Sequence, residues 1–196
     1  EADIAGIHLL DKGTMRYNIP FLERYGLRGR AILIRGYRRQ QGLIVQRGNP
    51  HGVLGFEDVI EKGLRFVNRN AGSGTRILIE SWIREIAEGR GVDPGSLRAR
   101  IRGWDFEANT HSAVAAAVAR GLADVGIGIR PAAEAHGLDF IPLAEEEYDF
   151  LIPAGRAGKD SIRGFLSALK SEEFKRELAA KLPGFLITAD SGERIF

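Results

Sequence analysis

Short apolar runs rich in β-branched residues alternate with helix-like segments along the whole chain, and this alternation limits the available folds more than any other feature. Residues 31–35, 43–46, 64–68, 97–101, 123–129, 138–143 and 149–153 read as strands. The clearest helix covers residues 74–88, where Ile77, Leu78, Trp82, Ile83 and Ile86 form one apolar face. Ser73 stands where an N-cap belongs, and Gly89 and Gly91 end the segment. An alanine-rich helix over residues 112–120 stops at Gly121 and runs into the strand at 123–129, and two further helices over 161–169 and 172–182 close the sequence. Strands alternating with helices predict an α/β fold, with a mostly parallel sheet covered on both faces and right-handed crossovers.

A chain of 196 residues can build one large domain or two lobes of roughly 100 residues each. No tract is long and polar enough to serve as a flexible linker, so two lobes would be joined by extended strands, residues 41–46 outward and 147–153 back. The expected division is 1–42 as the first part of lobe 1, 43–147 as lobe 2, and 148–196 as the return to lobe 1. A short internal echo supports two lobes, since Glu1-Ala2-Asp3-Ile4-Ala5-Gly6-Ile7 resembles Leu122-Ala123-Asp124-Val125-Gly126-Ile127-Gly128. The second copy follows a strand and a helix, whereas nothing stands ahead of the first, so an N-terminal strand and helix of lobe 1 are expected to be missing. Basic and acidic residues nearly cancel, 28 against 26, and the basic ones are scattered, which argues against direct nucleic-acid binding. No apolar run approaches the roughly 18 residues of a membrane span. The reading is cytoplasmic, with an extracytoplasmic location as the alternative if a leader was removed ahead of Glu1. The absence of cysteine excludes disulfides, thiolate metal sites and cysteine nucleophiles, and four scattered histidines suggest no zinc site.

The sharpest local feature is Asn68-Arg69-Asn70-Ala71-Gly72-Ser73-Gly74-Thr75-Arg76, a glycine-rich turn between a strand and the amphipathic helix. A helix start offers unpaired N–H groups and the positive end of the macrodipole. Glycines let an anion approach the backbone there, Ser73 and Thr75 add hydroxyls, and Arg69 or Arg76 can add a charge-assisted contact. The competing reading makes Ser73 a plain cap and the glycines a plain turn. The stretch is neither GxxxxGK[ST] nor GxGxxG, so nucleotide binding is disfavoured. A second helix start, Asn109-Thr110-His111-Ser112, presents the same donor chemistry, with an N-cap role for Thr110 and a structural role for His111 as the alternatives. Glu145-Glu146-Glu147 reads as a solvated loop before a strand. Asp11, Tyr17 and Asn18 form a polar cluster after the first strand, where parallel-sheet proteins place ligand groups, with plain loop decoration as the alternative. No HExxH, GxSxG or enforced carboxylate pair is present, so no catalytic residue is assigned and the domain is read as non-enzymatic.

The combination of NRNAGSGTR, THSAVAAAVARGLADVGIG and GLDFIPLAEEEYDFLIP, with ADIAGIHLLD and Tyr17-Asn18 near the start, resembles the substrate-binding-protein-like domain of molybdenum-cofactor proteins over nearly the whole chain. The resemblance implies a two-lobed type II periplasmic-binding-protein fold that closes on a small anion. It also implies fusion to a molybdopterin molybdenumtransferase, which would make the parent protein an enzyme, or to a helix-turn-helix domain. The first loop is also similar to the SRGDxSGT stretch of tungstate-binding receptors, which places Arg69, Ser73 and Thr75 at oxyanion-contacting positions; Asn68 and Ala71 depart from that pattern. The resulting ligand set is Arg69, Gly72, Ser73, Gly74, Thr75, Arg76, Thr110, His111, Ser112, Tyr17 and Asn18, with no metal ligand and no cofactor. The expected ligand is molybdate, tungstate or a sulfate-like oxyanion. The alternatives are the effector domain of a transcription regulator binding an organic acid, and the receptor of an anion importer.

Overall fold

The computed structural model describes residues 2–11 and 13–196. In chain order the elements are β1 (Ala5–Ile7), α1 (Ile19–Arg24), β2 (Ala31–Val45), α2 (Phe56–Glu61), β3 (Phe66–Arg69), α3 (Gly74–Arg90), α4 (Pro94–Ala99), β4 (Glu107–Ala108), α5 (His111–Ala119), β5 (Val125–Ile129), α6 (Arg130–Ala135), β6 (Asp139–Pro153), α7 (Asp160–Lys170), α8 (Glu172–Lys181) and β7 (Phe185–Leu186). The chain divides into two compact units. Unit 1 comprises Glu1–Arg39 and Glu145–Phe196, and unit 2 is the contiguous stretch Gln40–Ala144. The division falls within β2 and β6, each 15 residues long, so both strands contribute to both units.

Unit 2 is built in three layers. Its strands run in the order β2-β5-β3-β4, with β5 antiparallel to β2 and parallel to β3, and β3 parallel to β4. Strand periodicity sends alternate residues to opposite faces. Leu43, Val45, Phe66, Val125 and Ile127 join Phe56, Val59, Ile79, Ile83 and Leu97 in one core, with Trp82 packed on it. Ile44 and Val67 join Val114, Ala115, Val118 and Ala133 on the other side. Gly126 lies where β5 meets α5, and a β-carbon added there would come within 2.3 Å of Val114 Cγ1 and 2.8 Å of Val67 Cγ1. The missing side chain lets α5, made of alanine and valine after its first two residues, lie directly on the sheet.

In unit 1, β1 pairs antiparallel with β6 and β7 pairs antiparallel with β2. Ile34, Ile152, Ile162 and Leu169 form its core, with Phe150, Phe165 and Phe174 packed against it. The sheet pairing is thus mixed, not mostly parallel, because β2 and β6 run antiparallel to their partners β5, β7 and β1. Three local readings are also corrected. Residues expected as a strand at 97–101 lie largely in α4, where Asp93 accepts from Ser96 N at 2.9 Å and Pro94 occupies the first helical position. The runs at 138–143 and 149–153 are one strand, β6, and Glu145-Glu146-Glu147 lies inside it and not in a loop. Of the internal echo, Glu1 lies outside the described residues, while Ala5–Ile7 and Val125–Ile129 are strands.

Gly126→Val forces a branched side chain against Val114 of α5 and Val67 of β3, or distorts β5. It is expected to destabilise the protein by about 1–3 kcal/mol, read as a lower urea midpoint at unchanged slope.

Candidate functional site

Parallel pairing of β3 with β4 aligns Asn68 with Glu107 and Arg69 with Ala108. Both strands therefore end side by side, and each is followed by a short turn and a helix. The result is that the starts of α3 and α5 emerge from adjacent carboxyl ends of parallel strands, the position where such sheets hold ligands. Ser73 Oγ accepts from Arg76 N at 3.2 Å, and Thr110 Oγ1 accepts from Ala113 N at 3.0 Å. Each hydroxyl is a true N-cap, and capping leaves it its own proton to donate outward. Gly72 takes φ +84°, and a β-carbon there would meet nothing within 4 Å, so the backbone before α3 is open to solvent.

Arg69, the last residue of β3, reaches across to the start of α5. Its Nε donates to Ala108 O at 3.1 Å, its Nη2 donates to Asn109 O at 3.0 Å, and its Nη1 lies 3.0 Å from His111 Nδ1. Because a guanidinium only donates, the imidazole nitrogen facing it accepts. One buried cation and one half-buried imidazole thereby sit at the positive end of α5, while Thr110 and Ser112 beside them are exposed. The other residues singled out in the sequence are placed differently. Thr75 is buried, with its hydroxyl on Gln41 Oε1 at 3.3 Å. Arg76 is also buried, with Nη1 donating to Arg69 O at 3.1 Å and to Glu107 Oε1 at 2.9 Å. Arg69, Gly72, Ser73, Gly74, Thr75, Arg76, Thr110, His111 and Ser112 all belong to unit 2, whereas Tyr17 and Asn18 belong to unit 1.

In unit 1, Asn18 is fully buried and bridges two segments, accepting from Leu9 N and donating to Asp149 Oδ2, both at 2.8 Å. Around it runs a half-buried aromatic and ionic row that sequence reading did not find. His8 stacks on Tyr148, and Tyr148 stacks on Tyr37 with 5.0 Å between centroids. Gly6 makes room for this row, since a β-carbon there would lie 2.3 Å from the Tyr148 hydroxyl. Beside the rings, Glu146 is buried, pairs with Arg39 Nε and lies 2.8 Å from His8 Nδ1. Burial pushes the Glu146 carboxyl upward, but His8 and Arg39 outweigh it and hold the group at about 2. Burial also raises the Tyr37 phenol to about 12, and burial together with Glu146 and Glu147 raises Tyr17. Asp149 is raised by burial in spite of Asn18 and Arg35. The signal for this network lay in the alternation of residues 145–150, which places Glu146, Tyr148 and Phe150 on one face once the segment is a strand.

Residues 1–170 match the PBP superfamily domain, and the chain belongs to this PBP-like family. It is 34% identical over 179 residues to YvgK, an uncharacterized protein of Bacillus subtilis, covering 91% of this chain and 55% of YvgK, so the chain spans about half the length of that relative. The fold is shared with the sulfate-binding protein SubI of Mycobacterium tuberculosis, at TM-score 0.61 and 13% identity over 94% of this chain and 68% of SubI. It is shared also with a substrate-binding domain assigned to a molybdenum ABC transporter of Clostridium difficile, at TM-score 0.56 and 14% identity over 95% of this chain and 77% of that one. Among the described residues, no helix is long and apolar enough to cross a membrane.

The Glu146 network yields a pH prediction. Its carboxyl ionises at about 2 in the folded chain against an ordinary value of 4.5, so the stabilisation is fully present above pH 4.5 and is lost as pH falls towards 2. Glu146→Gln is expected to cost on the order of 3 kcal/mol at pH 7 and to flatten the acid limb of a urea-denaturation series. Asp149, being raised, works with the opposite sign.

Proposed function

We propose that this chain is a small-oxyanion-binding domain, with molybdate or tungstate as ligand and with molybdenum-cofactor synthesis or its regulation as its setting. The observation that carries the reading is the pair of helix starts at the ends of β3 and β4, with the Arg69 side chain reaching from the end of β3 to the start of α5. An oxyanion bound there takes N–H donors from both helices, hydroxyl donors from Ser73, Thr110 and Ser112, and the charge of Arg69. Two macrodipoles and one guanidinium stabilise a dianion without any metal or cofactor from the protein. Two of the proteins that share the fold are a sulfate-binding protein and a domain assigned to a molybdenum transporter, both concerned with tetrahedral dianions or their metal. A fused transferase or helix-turn-helix domain in the full protein would use this domain as its ligand reader, with a cytoplasmic location.

Selectivity among such anions follows their size, since a fixed set of N–H donors bonds one radius best. Calorimetric titration of the purified chain with molybdate, tungstate, sulfate and phosphate is expected to give saturable heat with the two larger anions and weaker binding of the others. Arg69→Ala removes a charged hydrogen-bonding group and is expected to raise Kd by about 10- to 100-fold. Absence of heat with all four anions would overturn the reading.

A further inference from the structure

We infer that Arg76 is a positioning residue for the oxyanion site, acting through Arg69, and that Trp104 is the surface on which it is set. The inference rests on the reading of Arg69 as a ligand group and specifies how that group is held.

Arg76 stands one turn into α3, where its charge would be free to reach an anion at the helix start if its side chain turned outward. It turns inward instead. The guanidinium carbon lies 4.0 Å from the centroid of the Trp104 ring, Nη1 is shared between Arg69 O and Glu107 Oε1, and Nε lies 3.6 Å from Glu80 Oε1. Its side chain is 9% exposed. A guanidinium packed on an indole face, with one nitrogen bonded to a carbonyl and a carboxylate, has little freedom to turn towards a ligand.

The carbonyl that Arg76 holds is the last of β3. The amide of the same residue, Arg69 N, donates to Asn68 Oδ1 at 2.9 Å, so the Arg69 backbone is fixed on both sides by side chains. Both of these side chains depend on the segment carrying Trp104. Asn68 Nδ2 donates to Trp104 O at 3.1 Å, and the Trp104 ring supports Arg76. That segment is itself bound to β3 by Phe66 N on Arg102 O and Asn68 N on Phe106 O, each at 2.8 Å. Gly103 makes this approach possible, because it takes φ +84° and a β-carbon there would lie 2.3 Å from Phe66 O. The path therefore runs from Gly103 and Trp104, through Asn68 and Arg76, to the backbone of Arg69. Its guanidinium then reaches the start of α5.

Arg76→Lys keeps the charge but loses the fork, Trp104→Leu loses the ring without touching any charge, and Trp104→Phe keeps a ring. If Arg76 positions Arg69, Arg76→Lys and Trp104→Leu are each expected to raise the molybdate Kd about tenfold. The double variant should be no worse than the poorer single one within about twofold, and Trp104→Phe should bind nearly as the parent does. A ligand-free readout separates this inference from the function it rests on. The imidazole nitrogen NMR signals of His111, assigned with His111→Gln, report the Arg69 contact, and Arg76→Lys and Trp104→Leu should move them towards their positions in Arg69→Ala. If the parent chain binds no anion and these signals still move, the receptor reading falls and the positioning of Arg69 stands. If the signals stay where they are in the parent chain, the inference is overturned whatever the binding data show.

Discussion

The register of β3 against β4 is the constraint on which the rest of the site depends. Parallel pairing of Asn68 with Glu107 and of Arg69 with Ala108 brings two turns, and the two helices after them, to one edge of unit 2. A shift by one residue would turn Arg69 to the opposite face of the sheet and remove it from the α5 start. The structure guards against that shift with hydrogen bonds from Phe66 and Asn68 to carbonyls of the 102–106 segment and with Arg76 bridging Arg69 O and Glu107. Phe66, Asn68, Arg69 and Arg76 are buried, where loss of a partner leaves an unsatisfied group and is costly.

The two arginines of the turn have the same charge and different uses. Arg69 carries its guanidinium forward to the capped start of α5, among carbonyl oxygens and an imidazole. Arg76 carries its guanidinium back to an indole and a carboxylate. Desolvating a cation is expensive unless it is compensated, and Arg76 has its compensation built in. Both guanidinium groups are thus held by protein partners, Arg76 on a carboxylate and an indole and Arg69 on two carbonyl oxygens and an imidazole.

Much of this was legible in the sequence. The amphipathic face of α3, the caps Ser73 and Thr110 and the glycine before the first of them follow from local rules that hold whatever the tertiary context. The family resemblance supplied the two-lobed α/β architecture. What was not legible depended on partners far along the chain. Thr75 and Arg76 looked like ligand donors because they stand at a helix start beside a glycine-rich turn, but Gln41 and Trp104, which take them inward, are distant in sequence. Three consecutive glutamates suggested a solvated loop, whereas Arg39 and His8 turn the middle one into an interior residue of a strand. Asp93-Pro94 was an available helix-start signal for α4, overridden by the apolar run after it. Sheet direction was misjudged because helix–strand alternation predicts parallel crossovers and says nothing about strands long enough to serve two units.

Those long strands impose an order on how the chain can be completed. Unit 2 is a single uninterrupted stretch, while unit 1 is assembled from the two ends of the sequence. As a ribosome delivers the chain, residues 40–144 can pair and bury their core while the first half of β2 still waits for β6. Through that interval Tyr37 and Arg39 have neither Tyr148 nor Glu146 beside them. The turn between β3 and α3 is thus finished earlier in synthesis than the ionic row of unit 1.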